Sequence, residues 1–183
     1  MSTEASAPKR RRRPPGPLSG LGFGLIALVV LLDQGSKWIA ETSLPYGEAF
    51  PVLPILSLYR TYNTGVAFSM FAGAGPWVLV IAMLAITAMV LYLWARADEG
   101  GRLAAAGYAL IVGGALGNLI DRVAHGYVID FLLLHFRDRT LFVFNLADSA
   151  LTLGPILVLA VFVFGRRPSE PRRRSPRATV AGA

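Results

Sequence analysis

The sequence predicts a mainly α-helical membrane protein with four transmembrane helices. Three observations carry that class. Of 183 residues, 54% are hydrophobic and only 16% are charged, where soluble chains average about 25% charged. Four apolar segments recur along the chain, each long enough at ~1.5 Å per residue to cross a hydrocarbon core of about 30 Å. The formal net charge of +7 sits at the two ends: residues 1–17 carry +4, residues 166–183 carry +5, and the middle carries −2. That distribution argues against a nucleic-acid partner and for tails held at a membrane surface by anionic phospholipid. Cysteine is absent, which excludes disulfides, thiolate metal ligands and a Cys nucleophile.

The first apolar segment runs from about Leu18 to Ala40 and is interrupted only near its end, by Asp33 and Lys37. A basic run precedes it, as in a secretory signal peptide. No small-x-small cleavage site follows, so a retained helix is expected. The second segment, Pro76 to Ala95, has no charge and no amphipathic face, which sets aside a soluble four-helix bundle. The third, Leu103 to Ile120, is rich in Ala and Gly. Gly113 and Gly117, with Gly114 beside them, give it a small-xxx-small face for close helix packing. The fourth runs from about Ala147 to Gly165. Lys9, Arg10 to Arg13, Arg96, Arg102, Arg166, Arg167 and Arg172 to Arg174 fall on one side of such a four-span chain. The positive-inside rule places that side in the cytoplasm, with both termini, and leaves residues 41–75 and 121–146 outside. Within those outer loops, 52–71, with Gly65 as a breaker, reads as a short two- or three-stranded sheet, and 127–136 and 141–144 are also strand-like; such a sheet could hold an extended peptide by edge pairing. The chain thus divides into a basic Pro-rich tail (1–17), one four-helix domain (18–165) and a second basic tail (166–183).

Polar groups at membrane depth cost several kcal/mol unless paired or hydrated, so they mark candidate sites. Asp33, Lys37, Asn63, Asn118, Asp121, Arg122, Asp130, Asn145 and Asp148 all fall at the outer ends of spans or in the outer loops. Each has a structural reading. Asp33 and Lys37 are four apart and can pair on one helix face. Asn118 and Asp121 share a face, and Arg122 can neutralise Asp121. Asn145 can cap the fourth helix, with Asp148 in its first turn favoured by the helix dipole. Asp130 stands alone in the apolar run Val128-Ile129-Asp130-Phe131-Leu132 and needs a partner or a function.

Few chemistries remain open. His125 and His135 lie outside any paired-His motif, so a zinc site is weakly supported. A Ser–His–Asp triad has no Gly-x-Ser-x-Gly turn. A Ser–Lys dyad would need Lys37, whose neighbour Ser36 points elsewhere on a helix. Carboxylates are well supplied. Two Asp side chains brought together share a proton, so one can activate water while the other protonates a leaving group, without metal or cofactor.

Five blocks in order resemble the lipoprotein signal peptidases (signal peptidase II), bacterial membrane aspartyl proteases. They are D-Q-G-S-K at 33–37, N-T-G-V-A-F at 63–68, G-G-A-L-G-N-L-I-D-R at 113–122, G-Y-V-I-D-F at 126–131 and F-N-L-A-D-S-A at 144–150. The resemblance implies four transmembrane helices with a small extracytoplasmic β-cradle and a short helical flap. It carries the catalytic pair onto Asp130 and Asp148. It makes Asp33, Lys37, Asn63, Gly65, Asn118, Asp121, Arg122 and Asn145 the residues that shape the site and contact substrate. The implied reaction removes the signal peptide of a prolipoprotein just before a diacylglyceryl-modified cysteine, at the outer face of the bacterial inner membrane, by a monomer. Ser69 stands where many members have Gly, in the flap. Two other readings stay open: a small membrane transporter or assembly factor whose aspartates only pair with Arg or Lys, and a metalloprotease using a histidine.

Overall fold

The computed structural model describes residues 13–65, 76–137 and 139–165. Val66, Ala67, Phe68, Ser69 and the expected flap lie outside the described residues, as do tail residues 1–12 and 166–183. Four long helices cross the fold: α1 (Gly20–Ser43), α2 (Pro76–Arg96), α3 (Gly101–His125) and α4 (Leu146–Gly165). Each is long and apolar enough to cross a membrane. A four-stranded antiparallel sheet, β1 (Ala49–Leu53), β2 (Leu56–Asn63), β3 (Val128–Phe136) and β4 (Arg139–Phe144), lies between α1 and α2 and between α3 and α4 in the chain. Its spatial order is β1-β2-β3-β4.

The helices divide into one core and three wrappers. Two thirds of the most apolar window of α3 is buried (67%), against 17% in α1, α2 and α4. The composition explains it. Small residues let neighbours approach α3 closely, and a side chain at its glycines would collide with them. A Cβ on Gly113 would strike Val29 of α1, one on Gly117 would strike Asp33, and one on Gly114 would strike Ala147 of α4. The expected small-residue face is therefore the packing surface for two helices, not one. The wrappers leave large apolar side chains outward, among them Leu31, Trp38, Ile81 and Leu159. Such surface is untenable in water and natural in lipid. At one end of the bundle Trp94 stacks on Tyr108 with centroids 5.8 Å apart, and its indole N–H donates to Pro15 O at 2.8 Å.

The opposite end carries the sheet. The α3 helix stops at Gly126, whose positive φ of 80° and N–H to Arg122 O close the last turn. That stop sends the chain straight into β3. Residues Val128 to Phe131 are buried on both faces, held against the helix ends. The register sets Thr61 opposite Asp130 on one side of β3, and Phe144 opposite Leu132 on the other.

Candidate active site at the helix–sheet junction

The α4 helix begins with a reciprocal cap. The Asn145 side chain accepts from Asp148 N at 2.9 Å, while the Asp148 carboxylate accepts from Asn145 N at 3.3 Å. This capping box satisfies two otherwise unpaired amides and fixes the Asp148 rotamer. Asn118 of α3 adds a third constraint, donating from Nδ2 to Asp148 Oδ1 at 2.8 Å.

Asp130 is reached from the sheet. It is only 2% exposed. Asn145 Nδ2 donates to its Oδ1 at 2.7 Å, and Asn63 Nδ2 donates to its Oδ2 at 3.1 Å. One amide side chain, Asn145, therefore touches both aspartates. Burial first, and the charge of Asp148 second, push the Asp130 carboxyl up to about 6, against the pull of the Asn63 and Asn145 hydrogen bonds and the Lys37 charge. Two carboxylates that repel in this way, each aimed by amide donors, can hold one proton between them.

A second buried layer supports the first. Lys37 Nζ contacts Asp33 Oδ2 at 2.7 Å, Asp121 Oδ2 at 2.9 Å and Asn118 Oδ1 at 2.9 Å. All three ammonium donors are thereby used. Asp33 Oδ1 accepts from Ala147 N at 2.9 Å, so a carboxylate of α1 caps α4. Asp121 Oδ2 accepts from Ile129 N at 3.1 Å, so a carboxylate of α3 fixes the strand residue before Asp130. The expected Asp33–Lys37 pairing is present. The expected Arg122–Asp121 pairing is not: among the described residues Asp121 pairs with Lys37 instead. Neighbours on a helix diverge by about 100°: Asp121 turns to Lys37, while the half-buried Arg122, its Nε buried, lies within electrostatic reach of Asp130 and Asp148 ahead of Asp121. Arg122 lies beside the turn at Gly65, where a Cβ would sit 3.1 Å from its Nη1. Gly65 has φ of 90°, and its N–H donates to Asn63 Oδ1 at 2.9 Å. That bond orients the Asn63 amide towards Asp130.

The structure gathers Asp33, Lys37, Asn63, Asn118, Asp121, Asp130, Asn145 and Asp148 into one network and puts Gly65 and Arg122 at its edge. It leaves the histidines out: His135 contacts Ser57 Oγ at 3.0 Å, and His125 stacks on Tyr127. Gln34 was not singled out from the sequence. Its Nε2 donates to Asp121 Oδ1 at 2.8 Å and Gly117 O at 3.1 Å. The spacing held a signal, since Gln34 and Lys37 are three apart on one face. Sequence reasoning also missed a lateral groove of about 550 Å³ between β4 and α4, lined by Phe142, Phe144, Asp148, Thr152 and Leu153 among others. Asp148 forms part of its wall.

Comparison with known proteins finds similarity over most of the chain. Residues 25–164 match the family model described as signal peptidase (SPase) II. The lipoprotein signal peptidase of Sinorhizobium fredii (strain NBRC 101917 / NGR234) is 51% identical over 138 residues, spanning 75% of this chain and 82% of that protein. The lipoprotein signal peptidase of Mesorhizobium japonicum (strain LMG 29417 / CECT 9101 / MAFF 303099) is 45% identical over 152 residues, spanning 83% and 90%. A bacterial membrane enzyme solved by the in meso method at 2.3 Å superposes with a TM-score of 0.73 at 27% identity, covering 88% of this chain and 98% of that one.

Proposed function

The chain belongs to the signal peptidase II family, and from that premise we propose that Asp130 and Asp148 are its catalytic pair. Its activity is that of a membrane aspartic peptidase that cleaves signal peptides from prolipoproteins. The observation that carries the pairing is Asn145, which donates to Asp130 while capping at Asp148. One carboxylate takes a proton from water, and the water oxygen bonds to the scissile carbonyl carbon. The other, protonated, donates to the carbonyl oxygen. The C–N bond then breaks and the leaving amine takes up a proton. The pair titrates as a unit, so neither aspartate is assigned as the base.

Lys37, Asp33, Asp121, Asn118, Asn63 and Asn145 position the pair rather than react. The substrate is a prolipoprotein whose cysteine carries a diacylglyceryl group, cut just before that cysteine. It arrives sideways through lipid, which suits a site at a helix–sheet junction with a lateral groove. Both termini face the cytoplasm, the site faces outward, and the chain works as a monomer.

The test is cleavage of a diacylglyceryl-modified prolipoprotein by purified protein in detergent. Asp130→Asn and Asp148→Asn are expected to lose activity. Asp98→Asn, which removes only an exposed partner of Arg13 at the other end of the bundle, is expected to keep it. Near-normal turnover in either of the first two variants refutes the pair.

A further inference from the structure

The two edges of the sheet are built differently. The β1 edge is blocked: it carries Pro51, and its pairing with β2 shifts between Pro51 and Leu53. Proline and irregular register are the usual guards against strand addition. The β4 edge has no proline; its pairing with β3 shifts at Leu141, and from Phe142 to Phe144 it runs in regular register and holds no charge. Among the described residues no strand lies beyond β4. Every second residue of an edge strand points its N–H and C=O away from the sheet.

The regular, proline-free part of the β4 edge is the one beside the aspartates. The register pairs Leu132 with Phe144 and Leu134 with Phe142. Asp130, Leu132 and Leu134 alternate onto one face of β3, so Phe142 and Phe144 stand on the face that carries Asp130. Their rings contact each other with centroids 5.4 Å apart. The groove along the edge runs between these rings and α4, and Asp148 forms part of its wall.

We propose that the substrate segment around the scissile bond binds in extended form as a fifth strand on the β4 edge, lying in this groove. The inference rests on the proposed catalytic pair, because the groove is continuous with Asp148. Backbone pairing holds the segment whatever its side chains, and pockets for alternate side chains give preference. A helical signal peptide must therefore unwind where it meets the edge, which presents its scissile carbonyl to the aspartates.

The experiment is an N-methyl scan of a synthetic diacylglyceryl-cysteine peptide, one backbone nitrogen at a time, leaving the scissile nitrogen unmodified. Methylation removes one donor and adds bulk at one edge position. A paired strand predicts period two: KM rises by about tenfold or more, worth ~1.4 kcal/mol, at alternate positions, with the positions between tolerated. Leu153→Trp, which fills the groove from α4, is expected to raise KM for the parent peptide. Cleavage of the parent together with a scan showing no alternation overturns the added strand and leaves the catalytic pair standing. The same flat scan with concentration-dependent self-association through β4 assigns the edge to a second copy and likewise overturns it. No cleavage of the unmethylated parent overturns the catalytic reading and this inference with it.

Discussion

Replacing Lys37 by methionine keeps the apolar stem of the side chain and removes its charge. In the native protein one ammonium serves two carboxylates, Asp33 and Asp121, which are 0% and 1% exposed. Deleting one partner of a buried ion pair costs about 3–5 kcal/mol, because the remaining charge has neither water nor a partner. Here two charges are stranded, so the upper half of that range is expected. At roughly 2–4 °C per kcal/mol for a chain of this size, the unfolding midpoint should drop by roughly 8–20 °C. Thermal unfolding of purified protein in detergent reads this directly. The triple variant Asp33→Asn, Lys37→Met, Asp121→Asn removes the stranded charges while leaving carbonyl oxygens to accept from Ala147 N and Ile129 N. It should recover more than half of the loss. An unfolding midpoint in Lys37→Met within about 2 °C of the parent, or a triple variant no better than the single one, refutes the reasoning. The first outcome means that the cation contributes nothing net, and the second that packing rather than charge was lost.

The site makes further outcomes expected. Asp130 sits at about 6 instead of 3.8, so the native state binds more protons than the unfolded chain between those values, and stability falls with rising pH across that window by about 3 kcal/mol in all. The midpoint of Asp130→Asn minus that of the parent should therefore climb between about pH 4 and about pH 6.5 and then level; a constant difference refutes the burial of an ionisable group there. In kcat/KM against pH, an alkaline limb near the same value is expected, and Asn63→Ala, which removes a donor that favours the charged form, should move it upward. Asn145→Ala should cut kcat/KM by about 10–100-fold, the size of one or two charge-assisted hydrogen bonds, as measured in the prolipoprotein assay. Gly117→Ala forces a methyl against Asp33 and should destabilise by about 1–3 kcal/mol, whereas Gly24→Ala, with open space around it, should not destabilise; both are read by thermal unfolding.

Much of the fold was legible because a bilayer imposes long apolar runs, and those runs bound the four helices to within a few residues. Local contacts were legible too. The Asp33–Lys37 pair and the Asn145 cap of α4 depend on spacings of three and four. The partners of Asp121 were not legible. They come from α1 and β3, and a one-residue difference in helical direction turns Asp121 to Lys37 and Arg122 towards the charges of Asp130 and Asp148. The joint contact of Asn145 with both aspartates was hidden for a similar reason. It depends on how β3 docks against the first turn of α4, which no local pattern encodes. The groove was invisible because its walls are an edge strand and a helix that meet only in space.

Inside a membrane, apolar surface alone gives helices little reason to prefer one mutual arrangement, since lipid tails are as apolar as leucine. Close packing at the α3 glycines supplies part of the preference here. The polar network supplies the rest: Asp33 ties α1 to the start of α4, Asp121 ties α3 to β3, and Lys37 joins the two carboxylates. A shift of α1 or α3 would strand a charge, and a shift of α4 would break its cap by Asp33. The same bonds set the Asn118 and Asn145 amides that aim Asp148 and Asp130. Positioning of the aspartates and choice of the native helix arrangement are thus one physical property. Substitutions in the supporting layer should lower turnover and stability together, while those at Asp130 should separate them, losing turnover as stability at neutral pH rises.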